Sequence, residues 1–235
     1  MSYYPLFMDL NNRPCVVIGG GQIAADKTRA LLEVNACVTV IAPELIEPLL
    51  NLVTDGRIKH HGRPYQPGDL AGAILAISAT DDSAVNRQVW EEGRRSGVLV
   101  NVVDDVPLCD FIAPSVIRQG DLTVAISTSG KAPALAVRIR ECLEEAFGPE
   151  YARFLELAGA IRQPLVEKHP DFKTRRTRWY ELVDSDILDL LRSGDEAAAY
   201  QKIEAIMGVS IPHDLIKRTK QVIEPSSAPA ISGEP

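Results

Sequence analysis

The chain has no long hydrophobic run. Its apolar stretches, such as Ala71–Ala76, fall far short of the ~20 residues a membrane-spanning helix needs, so no membrane role is expected. Cysteine is sparse. Cys15, Cys37, Cys109 and Cys142 stand apart with no CxxC and no cysteine–histidine pairing at metal spacing, which leaves neither a disulfide framework nor a thiolate metal site to be read. Cys15 and Cys37 lie in apolar strand patterns, where a free cysteine is expected to pack as a small buried hydrophobe. A reducing, cytoplasmic setting follows, and no basic–apolar–small-residue leader opens the sequence to suggest export. A basic excess is also missing: the net charge is −7, which argues against nucleic acid as a partner. The four histidines (His60, His61, His169, His213) are scattered, and His60 and His61 would point to opposite faces of a strand. No metal site is expected.

What is present is ordinary globular composition, 46% hydrophobic and 24% charged over 235 residues. That length suits a dinucleotide-binding domain plus a smaller second unit. Strand and helix signals alternate through the first hundred residues. Strands are expected at Pro14–Ile18, Cys37–Ile41, Arg57–His60, Ala73–Ser78 and Val98–Val103. Helical spacing covers Gln22–Glu33, Leu45–Val53 and Asp82–Arg95, the last acidic at its start and basic at its end as the helix dipole prefers. Short strands separated by helices predict a doubly wound α/β sheet of Rossmann type.

The pattern then changes. Phe111–Pro114 and Leu122–Ser127 read as strands and Pro133–Phe147 as an amphipathic helix. Three helices follow, Tyr151–Lys168, Arg178–Arg192 and Glu196–Met207, punctuated by Pro164, Pro170, Gly194 and Gly208. The expected organisation is a dinucleotide-binding domain over 1–110, a central segment over 111–149, a helical domain over 150–222 and a disordered tail over 223–235.

Gly19-Gly20-Gly21-Gln22-Ile23-Ala24 fits G-x-G-x-x-A between a strand and a helix. Gly19 can make the tight turn, Gly21 lets backbone approach a pyrophosphate, and Ala24 permits close helix–strand packing. The helix N-terminus, from Gln22 and Ile23, offers free N–H groups to phosphate. The same glycines would also serve a plain tight turn. Past the second strand stands Ala42-Pro43-Glu44, with no Lys or Arg between Val38 and Val53. Glu44 suits ribose hydroxyls, and a 2′-phosphate would meet negative charge there, so NAD is expected rather than NADP; capping of the next helix is the other role open to Glu44. After later strands come Ala79-Thr80-Asp81-Asp82 and Val102-Val103-Asp104-Asp105. Thr80, Asp81 and Val102 are candidates to meet the cofactor, while Asp81 or Asp82 could instead cap the following helix.

In this order Val17-Ile18-Gly19-Gly20-Gly21 with Lys27, Ala79-Thr80-Asp81-Asp82, Asn101-Val102-Val103-Asp104, Phe111-Ile112-Ala113-Pro114-Ser115 and Ser127-Thr128-Ser129-Gly130-Lys131-Ala132-Pro133 resemble the precorrin-2 dehydrogenase/sirohydrochlorin ferrochelatase family, also found as the N-terminal half of multifunctional sirohaem synthases. The resemblance runs from about Tyr4 to Gly208. It implies a Rossmann domain, a central dimerisation segment and a helical domain, assembled as a homodimer. It further implies NAD-dependent oxidation of precorrin-2 to sirohydrochlorin, with insertion of substrate Fe²⁺ to give sirohaem as a second activity. The methyltransferase domain fused to some relatives has no counterpart in the sequence, so precorrin-2 is expected ready made. Two departures stand out: Asp26 precedes Lys27 where relatives often carry a basic residue, and Thr128 stands where the motif has serine.

Asp104 matches the family's catalytic aspartate and follows a strand whose carboxyl end should lie near the nicotinamide, where a carboxylate can accept a proton. Asp105 is its competitor, but alternating side chains would turn only one of the pair toward the site. A polycarboxylate macrocycle calls for hydroxyls, amides and cations: Ser127, Thr128, Ser129, Gly130, Lys131 and Arg138 are the candidates, with Arg140 nearby and Arg175, Arg176 and Arg178 in the helical region. Each of these charges could equally belong to a solvated face. Two other classes share the glycine loop: a non-catalytic NAD-binding regulatory module, and a dedicated chelatase without redox activity.

Overall fold

β-Branched runs joined by helix-length connections pair in parallel, since a parallel partner requires a crossover. The computed structural model describes residues 3–218. Its first half comprises β1 (Pro14–Ile18), α1 (Gln22–Leu32), β2 (Cys37–Ile41), α2 (Glu47–Thr54), β3 (Lys59–His61), β4 (Leu75–Ser78), α3 (Ser83–Ser96) and β5 (Leu99–Val102). The strands form one parallel sheet in the order β3-β2-β1-β4-β5. This is the expected doubly wound α/β class, and it places the switch point between β1 and β4. The sequence-expected tail, 223–235, lies outside the described residues.

Alternation along the strands divides the core into two layers. Cys15 and Val17, Val38 and Val40, Leu75 and Ile77 face Ala24, Ala25 and Leu31 of α1 and Leu49 and Leu52 of α2. Val16, Ile18, Ile41, Ala76, Val100 and Val102 pack with Val89 of α3 on the other side. Burial pushes the Cys15 thiol up to about 11, with the neighbouring Cys37 adding to the effect. Cys37 itself is exposed, contrary to expectation: it opens β2, and Val38 and Val40 take the inward positions.

The second layer is latched by one buried carboxylate. Glu92 of α3 accepts from the Tyr65 hydroxyl and from the Gly68 and Leu70 amides, the latter two at 2.8 and 2.9 Å. Three donors on one connecting loop are thereby satisfied, each worth roughly 1–3 kcal/mol if left buried and unpaired. At the start of α3, Asp82 accepts from the Ala84 and Val85 amides; Asp82, not Asp81, is the cap.

The described chain divides into two compact units. The first ends at Pro114 and includes Thr128–Ala132; the second takes Ser115–Ser127 and the chain from Pro133. The second holds an antiparallel hairpin, β6 (Ser115–Gln119) and β7 (Leu122–Ile126). Five helices follow in that unit: α4 (Pro133–Ala146), α5 (Pro149–Lys168), α6 (Phe172–Val183), α7 (Ile187–Arg192) and α8 (Glu196–Met207), with a short α9 (His213–Arg218) after them as the sixth. Leu157, Ile161, Leu165, Leu182, Ile187 and Ile203 form a core among α5, α6, α7 and α8.

Two further sequence-based expectations fail, one at the end of the first unit and one in the second. Phe111–Pro114 is not a strand. The Asn101 side-chain amide holds the Phe111 carbonyl at 2.9 Å, and pairing begins only at Ser115. The expected helix Arg178–Arg192 is two helices. Asp171 caps the first by accepting from the Thr174 amide at 2.7 Å, which starts it six residues early, and Ser185 donates to the Leu182 carbonyl at the break. Pro164 lies inside α5, as the expected helix Tyr151–Lys168 already had it.

Candidate active site

Because all five strands are parallel, every strand-to-helix loop leaves from the same edge. The ladder continues one residue beyond three of them: Gly19 N–H donates to Ile41 at 2.9 Å, Ala79 to Ile18 at 2.7 Å and Val103 to Ser78 at 2.9 Å. The loops therefore form one ledge. Gly19 has φ +123°, and a Cβ there would stand 2.2 Å from the Ala79 carbonyl oxygen. A Cβ on Gly20 would lie 1.9 Å from the Glu44 carbonyl oxygen, while the Gly20 carbonyl accepts from the Ile46 amide at 3.0 Å. A Cβ on Gly21 would meet nothing within 4 Å. The three glycines thus divide their roles: the first two let loops pass each other, and the third leaves a surface open.

Around that surface stand several of the expected cofactor residues. Gly21 caps α1 with no side-chain hydrogen bond and no acidic residue follows in the first turn, so nothing negative competes for the helix N-terminus. Gln22 is exposed and bonded to Asp26 at 3.0 Å; Ile23 is exposed despite being apolar. Pro43 and Glu44 are exposed after β2. Glu44 does not cap α2, whose cap is Ile46. Thr80 is half-buried, its hydroxyl accepting from the Asp82 amide at 3.3 Å, and Asp81 is exposed. The Val102 side chain is buried in the core. Asn86 was not anticipated: it accepts from the Ser78 hydroxyl at 2.6 Å and donates to the Thr80 carbonyl at 3.0 Å, fixing the loop after β4.

Asp104 occupies the third position of a turn closed by the Asp105 amide on the Val102 carbonyl at 3.2 Å. Its φ of 63° lies in the left-handed region, which aspartate tolerates better than most residues. Asp104 is exposed and Asp105 half-buried, so the backbone presents the two carboxylates differently.

The Thr128–Lys131 segment is a second turn, with the Lys131 amide on the Thr128 carbonyl at 3.1 Å and positive φ at Ser129 and Gly130. The Thr128 hydroxyl accepts from the Ala132 amide at 3.3 Å, so threonine supplies the oxygen that a serine would. Lys131 is exposed. Ser127, also exposed, and Arg138 belong to the second unit, where Arg138 pairs with Glu141 at 2.7 Å. The arginine run of α6 is dispersed. Arg178 donates to the Ile206 carbonyl, Arg175 to the carbonyls of His169 and Pro170, and Arg176 lies over the Tyr180 ring.

An open Gly21 and an uncapped α1 fit a dinucleotide pyrophosphate. Among the described residues no three His, Cys, Asp or Glu side chains gather as a metal cage, and no helix is long and apolar enough to cross a membrane.

Fold and ledge define a dinucleotide-binding Rossmann unit carried with a helical unit. Residues 6–115 match an NAD(P)-binding family, 119–146 the sirohaem biosynthesis protein central region and 150–207 the sirohaem synthase dimerisation region. The dimerisation description thus falls on the helices, whereas the sequence reading put the dimer segment at 111–149. Sirohaem synthase of Photobacterium profundum is 41% identical over 203 residues, covering 86% of this chain and 43% of that protein. Sirohaem synthase of Methylobacillus flagellatus is 38% identical over 207 residues, covering 88% and 44%. This chain therefore spans less than half the length of these relatives. A solved structure named SirC, precorrin-2 dehydrogenase, aligns with TM-score 0.71 and 27% identity, covering 86% of this chain and 100% of that one. The chain belongs to the family of the sirohaem synthase N-terminal region and precorrin-2 dehydrogenase.

The glycine geometry predicts unequal tolerance. Gly20→Ala forces a carbonyl aside and should lower the melting temperature by several degrees; Gly21→Ala should leave it within a degree or so. Thermal denaturation followed by circular dichroism checks both, and equal melting temperatures would contradict the assigned roles.

Proposed function

We propose that this chain is a precorrin-2 dehydrogenase, oxidising precorrin-2 to sirohydrochlorin with NAD, and that it also inserts Fe²⁺ to yield sirohaem. The observation that carries the reading is the likeness to a solved precorrin-2 dehydrogenase over that protein's whole length. A turn bearing Asp104 at the carboxyl end of β5 supports it. NAD, when bound, supplies the hydride acceptor. Gly19, Gly21, Gln22 and Ile23 would hold its pyrophosphate, Pro43 and Glu44 its adenosine ribose, and Thr80, Asp81 and the Val102 backbone the remainder. Asp104 accepts the substrate proton. Each unit carries candidates for the macrocycle's carboxylates, the Thr128–Lys131 turn in the first and Ser127 and Arg138 in the second. The same Asp104 carboxylate, exposed to solvent, would take the pyrrole protons that metal insertion releases one at a time and pass each to water, with the macrocycle supplying the iron ligands.

NAD is preferred over NADP because Glu44 is exposed at the ribose position. The nearest arginine past β3, Arg63, is held by Asp69 through two bonds of 2.7 and 2.6 Å, so it is not free for a 2′-phosphate. The homodimer reading rests on α4, whose Leu135 and Ile139 are exposed in the single chain, and on the dimerisation description of 150–207. The exposed Cys37 and Cys142 thiols suit a reducing cytoplasm.

Three measurements bear on this. Incubation with precorrin-2 and NAD, read by absorbance, should give sirohydrochlorin. Asp104→Asn should then lose about a hundredfold to ten-thousandfold in rate with NAD binding intact, and Asp105→Asn much less. Two mutants that behave alike would remove Asp104 as the base. Calorimetry should show NAD binding at least tenfold tighter than NADP, and equal affinities would reject the role of Glu44. Light scattering at micromolar concentration should give a dimer; a monomer contradicts the assembly.

A further inference from the structure

Beyond the acid–base residue itself, the turn that carries it is tied by a side chain with no role so far. Asp104 holds a left-handed φ of 63°, a conformation unfavourable to a non-glycine residue unless its surroundings impose it. The backbone supplies a single closing bond, Asp105 N–H to Val102 at 3.2 Å. From there the chain makes a short 3₁₀ turn, Val106–Leu108, and returns along β5. The Asp110 amide donates to the Val100 carbonyl at 2.7 Å, and the Asp110 carboxylate accepts from the Val100 amide at 3.0 Å. That return brings Cys109 back under the turn. Its sulfur lies 3.1 Å from the Val102 carbonyl oxygen and 3.3 Å from that of Asp105. These two residues are the first and last of the turn whose third is Asp104. On the far side the Asn101 amide reaches the sulfur at 3.5 Å while holding Phe111 at 2.9 Å.

We propose that Cys109 is a positioning residue for Asp104: its thiol bridges both ends of the turn and fixes where the carboxylate stands. The inference rests on the dehydrogenase reading for its kinetic consequence, but the tie itself does not. Burial pushes the Cys109 thiol above its ordinary range, and the nearby Asp105 and Asp110 act in the same direction. The S–H is therefore retained at neutral pH and remains a donor. A thiolate would instead face two carbonyl oxygens and repel them.

The test compares Cys109→Ala with Cys109→Ser in the full chain, each alone and combined with Asp104→Asn. Hydrogen exchange of the Asp105 amide should quicken about tenfold or more in Cys109→Ala and return toward wild type in Cys109→Ser, whose hydroxyl can still donate. In precorrin-2 oxidation, Cys109→Ala should lower kcat about tenfold to a hundredfold, the scale expected when a reacting group is misplaced by an ångström. KM for NAD should hold, and Cys109→Ser should recover most of the rate. On the Asp104→Asn background Cys109→Ala should cost little more, because the group it positions is gone. Unchanged exchange overturns the proposal, and so does faster exchange with normal kcat. A further full loss on the Asp104→Asn background also overturns it. If the wild type oxidises no precorrin-2, the functional reading fails instead, and the exchange comparison alone decides the tie, equal rates rejecting it.

Discussion

The close passage of backbone past backbone at the switch point governs everything at the ledge. The loops after β1, β2 and β4 run near enough that a methyl group on Gly19 or Gly20 would sit inside a neighbouring carbonyl oxygen, at 2.2 and 1.9 Å. Side chains there would drive the loops apart and open the start of α1. Helix amides and dipole concentrate positive potential only within the first turn, so the aim of that turn decides what it can bind. The glycines are thus a packing requirement first, and a binding feature only at Gly21.

Polar residues then hold the ledge in shape from below. Asn86 spans Ser78 and Thr80 and Asn101 reaches past β5 to Phe111, while farther along α3 Glu92 collects three donors from the connection between β3 and β4. Each replaces water for buried groups that would otherwise lose it, which is why their partners matter more than their number. The ion pairs of α4 are different in kind. Arg138 with Glu141 is largely solvated, its arginine side chain 81% exposed, and such pairs contribute about 0–1 kcal/mol.

The parallel half was legible because both of its signals are local. β-Branched runs ending in glycine or proline gave β1 and β2 at their true bounds, and the acidic start of α3 marked its cap to within the pair Asp81–Asp82. The chain beyond β5 was less so. Phe111–Pro114 has strand-like residues, but its carbonyl is claimed by Asn101 from a distant strand, a tertiary preference that no window of sequence contains. The break between α6 and α7 depends on Ser185 turning back on Leu182, where apolar spacing alone runs straight through. At the site, residue types pointed to Asp104 and the glycine loop. Gly20, Asn86 and Cys109 escaped notice because their work is to hold other segments, and only the folded chain says which.

Helical geometry also revises how positive charge reaches an anionic ligand. Arg175, Arg176 and Arg178 look in sequence like one basic cluster. Successive residues on a helix point about 100° apart, and the three guanidiniums part accordingly. Arg178 turns inward to the Ile206 carbonyl and Arg175 satisfies the carbonyls of His169 and Pro170. Arg175 also lies over the exposed Phe172 ring, and Arg176 over that of Tyr180. Two of three cations are therefore engaged in neutralising carbonyl dipoles within the helical unit, and pulling them toward a ligand would strand those oxygens. The helical unit therefore holds less mobile positive charge than its sequence advertises.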